Sequence, residues 1–303
     1  MSGALVAVVS RDPATRLAAA AAFDGAPAAW RVELFETPPS RGADVVVLGP
    51  DAGDGPGVRF DPAAPTRVVE DVARALGGQH SLTAALTGAG GGVGATSVAL
   101  HLAQALAAGA ETCVVDLGDD RAVALRVGLG TTPAPTWADL EHGDASLRRC
   151  AVPVPGGFRI LLSPGPDDVS HMSAADLVRR AAAGFEHVIV DVPAGLRRHE
   201  ALGAVRTAVL VVQPTVVGAN RARPVLEAHP EISWAVILNR LGPGGETTRA
   251  ALERLLRHPV AVELPCAPSL RDAEDDGRLL TSPLSPWRRG VHRLARALVA
   301  STT

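Results

Sequence analysis

The chain reads as an α/β protein: a parallel sheet with helices on both faces, preceded by a smaller α/β unit. Three observations predict this. Apolar stretches of strand length recur from Leu82 onward and alternate with helical patterns, as strands buried on both faces require. Apolar residues make up 47% of the chain but aromatics only 3%, with no Tyr, so the core is one of Ala, Val and Leu. A length of 303 residues suits one large domain or two modest ones.

The first 77 residues form the smaller unit. "ALVAVVS" (4–10) is a buried strand, and Asp12 followed by Pro13 is an N-cap with proline in the first turn of a helix over 12–23. "WRVELFE" (30–36) alternates like a strand and "ADVVVLGPD" (43–51) is a continuous apolar strand ending in a turn. An Asp/Gly/Pro-rich loop (51–65) leads into the helix "TRVVEDVARALGG", and residues 78–81 read as a linker before a second domain over 82–303.

In that second domain "LTAALT" is a strand, followed by a glycine loop and the helix "ATSVALHLAQALA". "TCVVDLG" (112–118), "FRILLSPG" (158–165), "HVIVDVPAG" (187–195), "TAVLVVQP" (207–214) and "WAVILNR" (234–240) are five further strands. "SAADLVRRAAAGF" and "ANRARPVLEAH" are helices between them. In open parallel sheets, ligands bind beyond the carboxyl ends of the strands. The motifs below all fall at such ends.

A net charge of −3 gives no general attraction to nucleic acid or anionic membrane. No apolar run approaches the ~20 residues that span a bilayer, and the N-terminus has neither a basic start nor a signal-length apolar run. Cys113, Cys150 and Cys266 lack metal or disulfide spacing, and read as buried free thiols in a reducing cytoplasm.

The stretch "GAGGGVGATS" carries the chemistry. Gly90, Gly91, Gly92 and Gly94 free the backbone N–H groups around Val93 and Ala95 to converge on an anion at a helix N-terminus, and Thr96, followed by Ser97, can place a hydroxyl on Mg²⁺. The strict phosphate-loop pattern fails at Ala89 and Ala95, so a tight turn without ligand also fits the loop alone. Asp116 and Asp191 end two strands. Each either caps a following helix or joins a Mg-nucleotide site. Asn239, in "VILNR", either pairs with an adenine edge or serves a turn.

Taken in order, "GAGGGVGATS", "VVDLG", "VIVDVPAG", "LNR" and "ELPCAP" resemble the MinD/ParA family of deviant Walker A ATPases over roughly residues 82–280. The resemblance implies a phosphate-loop NTPase-type sheet binding ATP or ADP with Mg²⁺. Thr96 and Asp191 match the magnesium positions, and Asp116 matches the acidic residue associated with water activation, catalytic if the chain is an ATPase. Asn239 and Pro265 match the base pocket. The family's signature lysine falls on Gly90 and the ordinary phosphate-loop lysine on Ala95. A later Asp of the second motif falls on Gly118, though Asp119 and Asp120 follow. The chain has no lysine anywhere, leaving Arg121, Arg126 and Arg240 as candidate cations to reach the site instead. Losing two charge-assisted hydrogen bonds weakens binding by roughly 3–6 kcal/mol, or about two to four decades. Hydrolysis suffers further, since cations near the γ-phosphate stabilise the transition state more than the ground state.

Residues 1–77 resemble a shortened response-regulator receiver, and "DLGDDRAVALRVGL…TWADLEHGD" resembles the corresponding segment of the CpaE/TadZ branch. Those proteins serve tight-adherence pili, and actinobacterial relatives are labelled septum-site determining. Asp12 is a lone acidic residue here and Gly49 holds the phospho-acceptor position, so aspartyl phosphorylation is ruled out. The unit is then a dimerisation or docking surface, or a structural appendage. In "SPWRRGVHRLARALVA", Trp287, Val291, Leu294 and Leu298 share one helical face, and either core packing or a membrane surface accounts for it.

The function expected from these features is that of a cytoplasmic, non-catalytic or weakly nucleotide-binding positioning factor. The resemblance implies a homodimer, pilus, secretion or division partners, and recruitment to membrane, pole or septum. The rival is a slow ATPase switch cycling between monomer and dimer at the membrane. A DNA-partitioning role is third, since the arginine pairs 148–149, 179–180 and 197–198 are scattered on a slightly acidic chain.

Overall fold

The computed structural model describes residues 4–26, 30–39, 43–53, 55, 57–65, 67–75, 82–130, 133–142, 146–165, 171–195, 199–240 and 247–301. The linker expected at 78–81 and the arginine pair 197–198 lie outside them. The N-terminal part contains β1 (Ala4–Val9), α1 (Pro13–Ala22), β2 (Trp30–Phe35), β3 (Val45–Leu48), β4 (Val58–Arg59) and α2 (Arg67–Ala75). Its sheet runs β2-β1-β3-β4 with parallel pairing, the 2-1-3-4 order of flavodoxin-like folds. The helix expected from Thr66 is described from Arg67 to Ala75, and β4 was not legible.

At the carboxyl end of this sheet, Asp12 caps α1 as expected, accepting from Ala14 N and Thr15 N. It is not a lone acidic residue in space, because Asp51 lies beside it. The Asp51 carboxylate accepts from Ser10 Oγ at 2.6 Å, Arg11 N at 2.6 Å and Asp12 N at 3.1 Å, and these bonds, the Ser10 hydroxyl first, hold its pKa down. A Cβ on Gly49 would lie 2.8 Å from Ser10 Cβ, so no longer side chain fits there without displacement.

The larger part contains β5 (Leu82–Gly88), α3 (Ala95–Leu106), β6 (Thr112–Asp116), α4 (Ala122–Arg126), α5 (Leu147–Cys150), β7 (Val152–Pro153), β8 (Arg159–Leu161), α6 (Ala174–Gly184), β9 (His187–Asp191), β10 (Thr207–Val212), α7 (Val216–Ala228), β11 (Ser233–Asn239), α8 (Arg249–Leu256), β12 (Val260–Leu264), α9 (Pro268–Asp275) and α10 (Pro286–Ala300). The strand order is β12-β11-β10-β5-β9-β6-β8-β7, with β7 antiparallel to β8 and the other pairings parallel. The two-residue β7 and the edge strand β12 were missed. The "VAVEL" of β12 alternates with buried Val260, Val262 and Leu264, a short period-2 signal.

One sheet face packs on α3 and α10; the other packs on α6 and, beyond β10, on α7 and α8. Trp287, Val291, Leu294 and Leu298 are all buried, so the apolar face of α10 belongs to the core against α3 and β12. Arg289, Arg293 and Arg296 remain exposed. Among the described residues no helix is long and apolar enough to cross a membrane.

The two parts touch through α2 and α6, with Ala183 inside the N-terminal core cluster. Arg148 spans the contact. It forms a two-pronged pair with Glu111 at 2.7 Å on each prong and donates Nε to Ala26 O at 2.7 Å.

The helix over 219–229 begins earlier than its sequence pattern suggests, at Val216, capped by Thr215. Its tight start needs Gly218, where a Cβ would fall 2.2 Å from Gln213 O. Gly218→Ala is expected to cost about 1–3 kcal/mol, as overpacking against rigid backbone does. A wild-type urea midpoint for that variant would refute the crowding.

Candidate nucleotide-binding site

The site is assembled by three adjacent strands. In the parallel register Leu86 pairs with Asp191, and Asp191 with Asp116. The ends of β5, β9 and β6 therefore bring the glycine loop and both carboxylates to one edge of the sheet. Gly92 (φ 73°) and Gly94 (φ 87°) occupy left-handed conformations that side chains avoid, which lets the loop fold back above β5. Gly94 precedes α3 and no side chain caps that helix, so its first amides face the cleft.

A cavity of about 350 Å³ lies here, walled by Gly90 to Thr96, Asp116, Asp120, Arg126 and Asp191. A second of about 820 Å³ adjoins it, bounded by Ser97, Arg126, Asn239, Cys266 to Pro268 and Glu274. A small polar chamber at a helix N-terminus beside a larger mixed one fits a phosphate chain and a nucleoside.

Asp116 and Asp191 are 2% and 7% exposed. Burial pushes the Asp116 carboxyl up to about 7, with the Asp191 charge adding to the rise and the Gly118 and Ser163 amides opposing it. Burial raises Asp191 too, to about 6, against a hydrogen bond with Thr96 and the charge of Arg126. Burial thus disfavours the ionised form of both carboxylates, and the Asp191 charge disfavours that of Asp116 further. The main-chain carbonyl of Asp116 is pinned by Trp137 Nε1 at 3.1 Å, and Leu117 N donates to Asp191 O. Among the described residues no three His, Cys, Asp or Glu side chains cluster as a metal cage. Two carboxylates and the Thr96 hydroxyl are too sparse a set for an isolated Mg²⁺, but they fit one whose remaining oxygens come from phosphate and water.

Asn239 is 2% exposed, and its amide is engaged at both ends. Nδ2 donates to Val93 O at 2.9 Å and Oδ1 accepts from Trp287 Nε1 at 3.1 Å. It lines the larger cavity while tying the glycine loop to α10. Beside Pro265, which directly follows the end of β12 at Leu264, the residues Cys266, Ala267 and Pro268 line this cavity. Cys266 is exposed, against the expectation of a buried thiol, whereas Cys113 and Cys150 are buried as expected. Ser97 lies at the junction and donates to Glu274 Oε2 at 2.9 Å.

Of the three candidate arginines, Arg126 enters both cavities, and Arg240 lines the larger one while facing Glu263 at 3.5 Å. Arg121 is exposed before α4. Two residues were missed. Arg221 of α7 is exposed, and its Nη1 would be 3.4 Å from a Cβ on Gly90. Glu274 of α9 bonds Ser97 from 177 residues away. The only sequence signals were an arginine in "ANRARP" and an acidic run in "RDAEDDG".

A glycine loop between a central parallel strand and a helix, with carboxylates ending the neighbouring strands, defines the phosphate-loop NTPase fold. The chain belongs to the CobQ/CobB/MinD/ParA nucleotide-binding family, whose domain profile matches residues 84–280. It is 36% identical over 104 residues to an uncharacterized ATP-binding protein of Methanocaldococcus jannaschii, covering 32% of this chain and 40% of that one. It is 27% identical over 170 residues to a putative septum site-determining protein MinD of Guillardia theta, covering 52% and 63%. The matches thus span only 40% to 63% of those relatives. The MinD of Pyrococcus horikoshii OT3, solved with Mg-ADP, superposes with a TM-score of 0.62 at 20% identity over 72% of this chain and 95% of that one. At that identity the likeness is one of fold.

Proposed function

We propose that this chain is a nucleotide-sensing positioning or assembly factor of the CpaE/TadZ branch, serving a Tad-type pilus, secretion or septum-site system. In this reading the N-terminal sheet is a degenerate receiver-like domain ending near residue 77, and residues 82–303 form the ATPase-fold domain. The observation that carries the reading is a phosphate loop with open helix amides and a Thr96–Asp191–Asp116 group, with Gly90 and Ala95 at the loop and no lysine in the chain. The loop amides cradle phosphate, Thr96 and Asp191 hold Mg²⁺, and the nucleoside enters beside Asn239. Bound Mg²⁺ neutralises the phosphates and the paired carboxylates. Nucleotide acts as a conformational ligand, and hydrolysis is slow because no lysine meets the γ-phosphate. A homodimer meeting across the loop face, recruited to a membrane, pole or septum, belongs to the same reading, as does binding to pilus or division machinery. The ATP-binding and septum-site relatives support it by name, as does the Mg-ADP of the MinD structure.

Calorimetry with Mg-ADP and Mg-ATP tests the site. Saturable binding is expected in the wild type, with a loss of about a hundredfold or more in Thr96→Ala and Asp191→Ala. No binding at millimolar nucleotide would sink the reading. A slow MinD-like ATPase is the second reading, favoured by Arg126 and Arg221 at the cleft. It requires phosphate release that tracks the protein and disappears in Asp116→Ala.

A further inference from the structure

The cleft contains a cation that the glycine loop does not supply. Arg126, the last residue of α4, borders both cavities. Its Nε donates to Glu274 Oε2 at 3.0 Å and its Nη1 to Ala122 O at 3.1 Å, which leaves Nη2 without a hydrogen bond among the described residues. Its charge already reaches Asp191 and pulls that carboxyl down against burial.

Glu274 is an unusual partner. Its side chain is only 10% exposed, and Oε2 takes both Arg126 and the Ser97 hydroxyl, while Oε1 is buried with no partner. Buried carboxylate oxygens are normally satisfied, so a bare one beside a phosphate loop marks a group that is incompletely accommodated. Burial raises the Glu274 pKa, and the bonds from Ser97 and Arg126 oppose that rise. The helix that carries it, α9, has no buried residue. That helix meets the end of α4 through two glycines: a Cβ on Gly277 would lie 2.7 Å from Gly128 Cα. The acid therefore sits on a wall whose helix contributes no fully buried side chain, and the arginine sits where phosphate and nucleoside would join.

We propose that Arg126 and Glu274 form a latch over the nucleotide site. An entering phosphate chain takes Arg126 from Glu274, so that Arg126 supplies the cation that Gly90 and Ala95 do not. Glu274, repelled by the phosphates, withdraws with α9. This rests on the reading that the cleft takes a Mg-nucleotide, and adds how occupancy is communicated to the surface. Arg126 would grip and Glu274 would oppose, so the two substitutions have opposite signs.

The test is the dissociation constant of Mg-ADP for the full chain, measured by calorimetry. Glu274→Gln keeps an acceptor for Ser97 but removes the competing charge, and is expected to tighten Mg-ADP binding about tenfold. Arg126→Gln is expected to weaken it about tenfold, and to abolish most of the gain when combined with Glu274→Gln. A merely structural ion pair would weaken binding in both single variants. Unchanged or weaker binding in Glu274→Gln, with wild-type binding present and lost in Thr96→Ala, overturns the latch and leaves the nucleotide site standing. Absence of binding in wild type and Glu274→Gln alike overturns both.

Discussion

Trp287→Ala is expected to destabilise the chain by about 3–5 kcal/mol, the range for removing a fully buried aromatic side chain. The ring is 1% exposed and meets His101 edge-on at 5.0 Å between centroids. His101 is itself fixed, its Nδ1 bonded to Ser97 O and its Nε2 accepting from Leu280 N. The neutral ring therefore carries its proton on Nδ1, and burial lowers its pKa to about 4. Removing Trp287 empties the space between α3 and α10 and deprives Asn239 Oδ1 of its donor, which loosens the bond from Asn239 to the glycine loop. Unfolding in urea gives the stability term. Trp287→Phe separates the two effects, because it retains most of the ring but not the N–H. It is expected to cost about 1–2 kcal/mol and to weaken Mg-ADP through the loop alone. An unfolding midpoint for Trp287→Ala within error of wild type would refute this packing.

Asp116→Asn is expected to stabilise the nucleotide-free protein, and to do so only above acid pH. The Asp116 pKa rises from 3.8 to about 7, first through burial and then through the charge of Asp191. Between those values the folded state binds more protons than the unfolded one. The stability tied to this carboxyl is thus fully present below 3.8 and is lost as pH rises through about 7. The neutral amide escapes that loss. Its advantage over wild type is expected to be about 2 kcal/mol near pH 8, less than the full shift implies because the carboxyls are coupled, and to vanish near pH 4. The difference between the two proteins is the quantity to measure, since neutral His101 works in the opposite sense: its lowered pKa costs stability as pH falls below 6.5. A pH-independent difference would refute the electrostatic account. Mg-ADP should stabilise the wild type more than Asp116→Asn, because only the wild type has the full repulsion to relieve.

The glycine loop, Asp116 and Asp191 were legible in sequence because each is a local pattern, a turn or a strand end, and the parallel α/β class alone sends strand ends to one edge. Asn239 was found for its position but not for its bonds, which depend on an indole 48 residues later. That Cys266, Ala267 and Pro268 line the cavity was not legible, because the end of β12 decides which part of the following loop faces the cleft, and a five-residue edge strand gives a weak signal. Arg221 was invisible for a different reason. It meets Gly90 because β10 is the neighbour of β5, and strand order is set by long-range pairing. Glu274 depends on both strand order and the path of α9. Local chemistry was readable, and the choice of which distant side chains share a cleft was not.

The grip of Arg148 on Glu111 and Ala26 has a consequence for access. Glu111 precedes β6, whose far end is Asp116, five residues and about 16 Å along the strand. The N-terminal unit is therefore moored at the pole of the molecule opposite the cleft mouth. Its moorings obstruct neither the glycine loop nor α9, so one end of this chain can be tethered while the other stays open to whatever diffuses in.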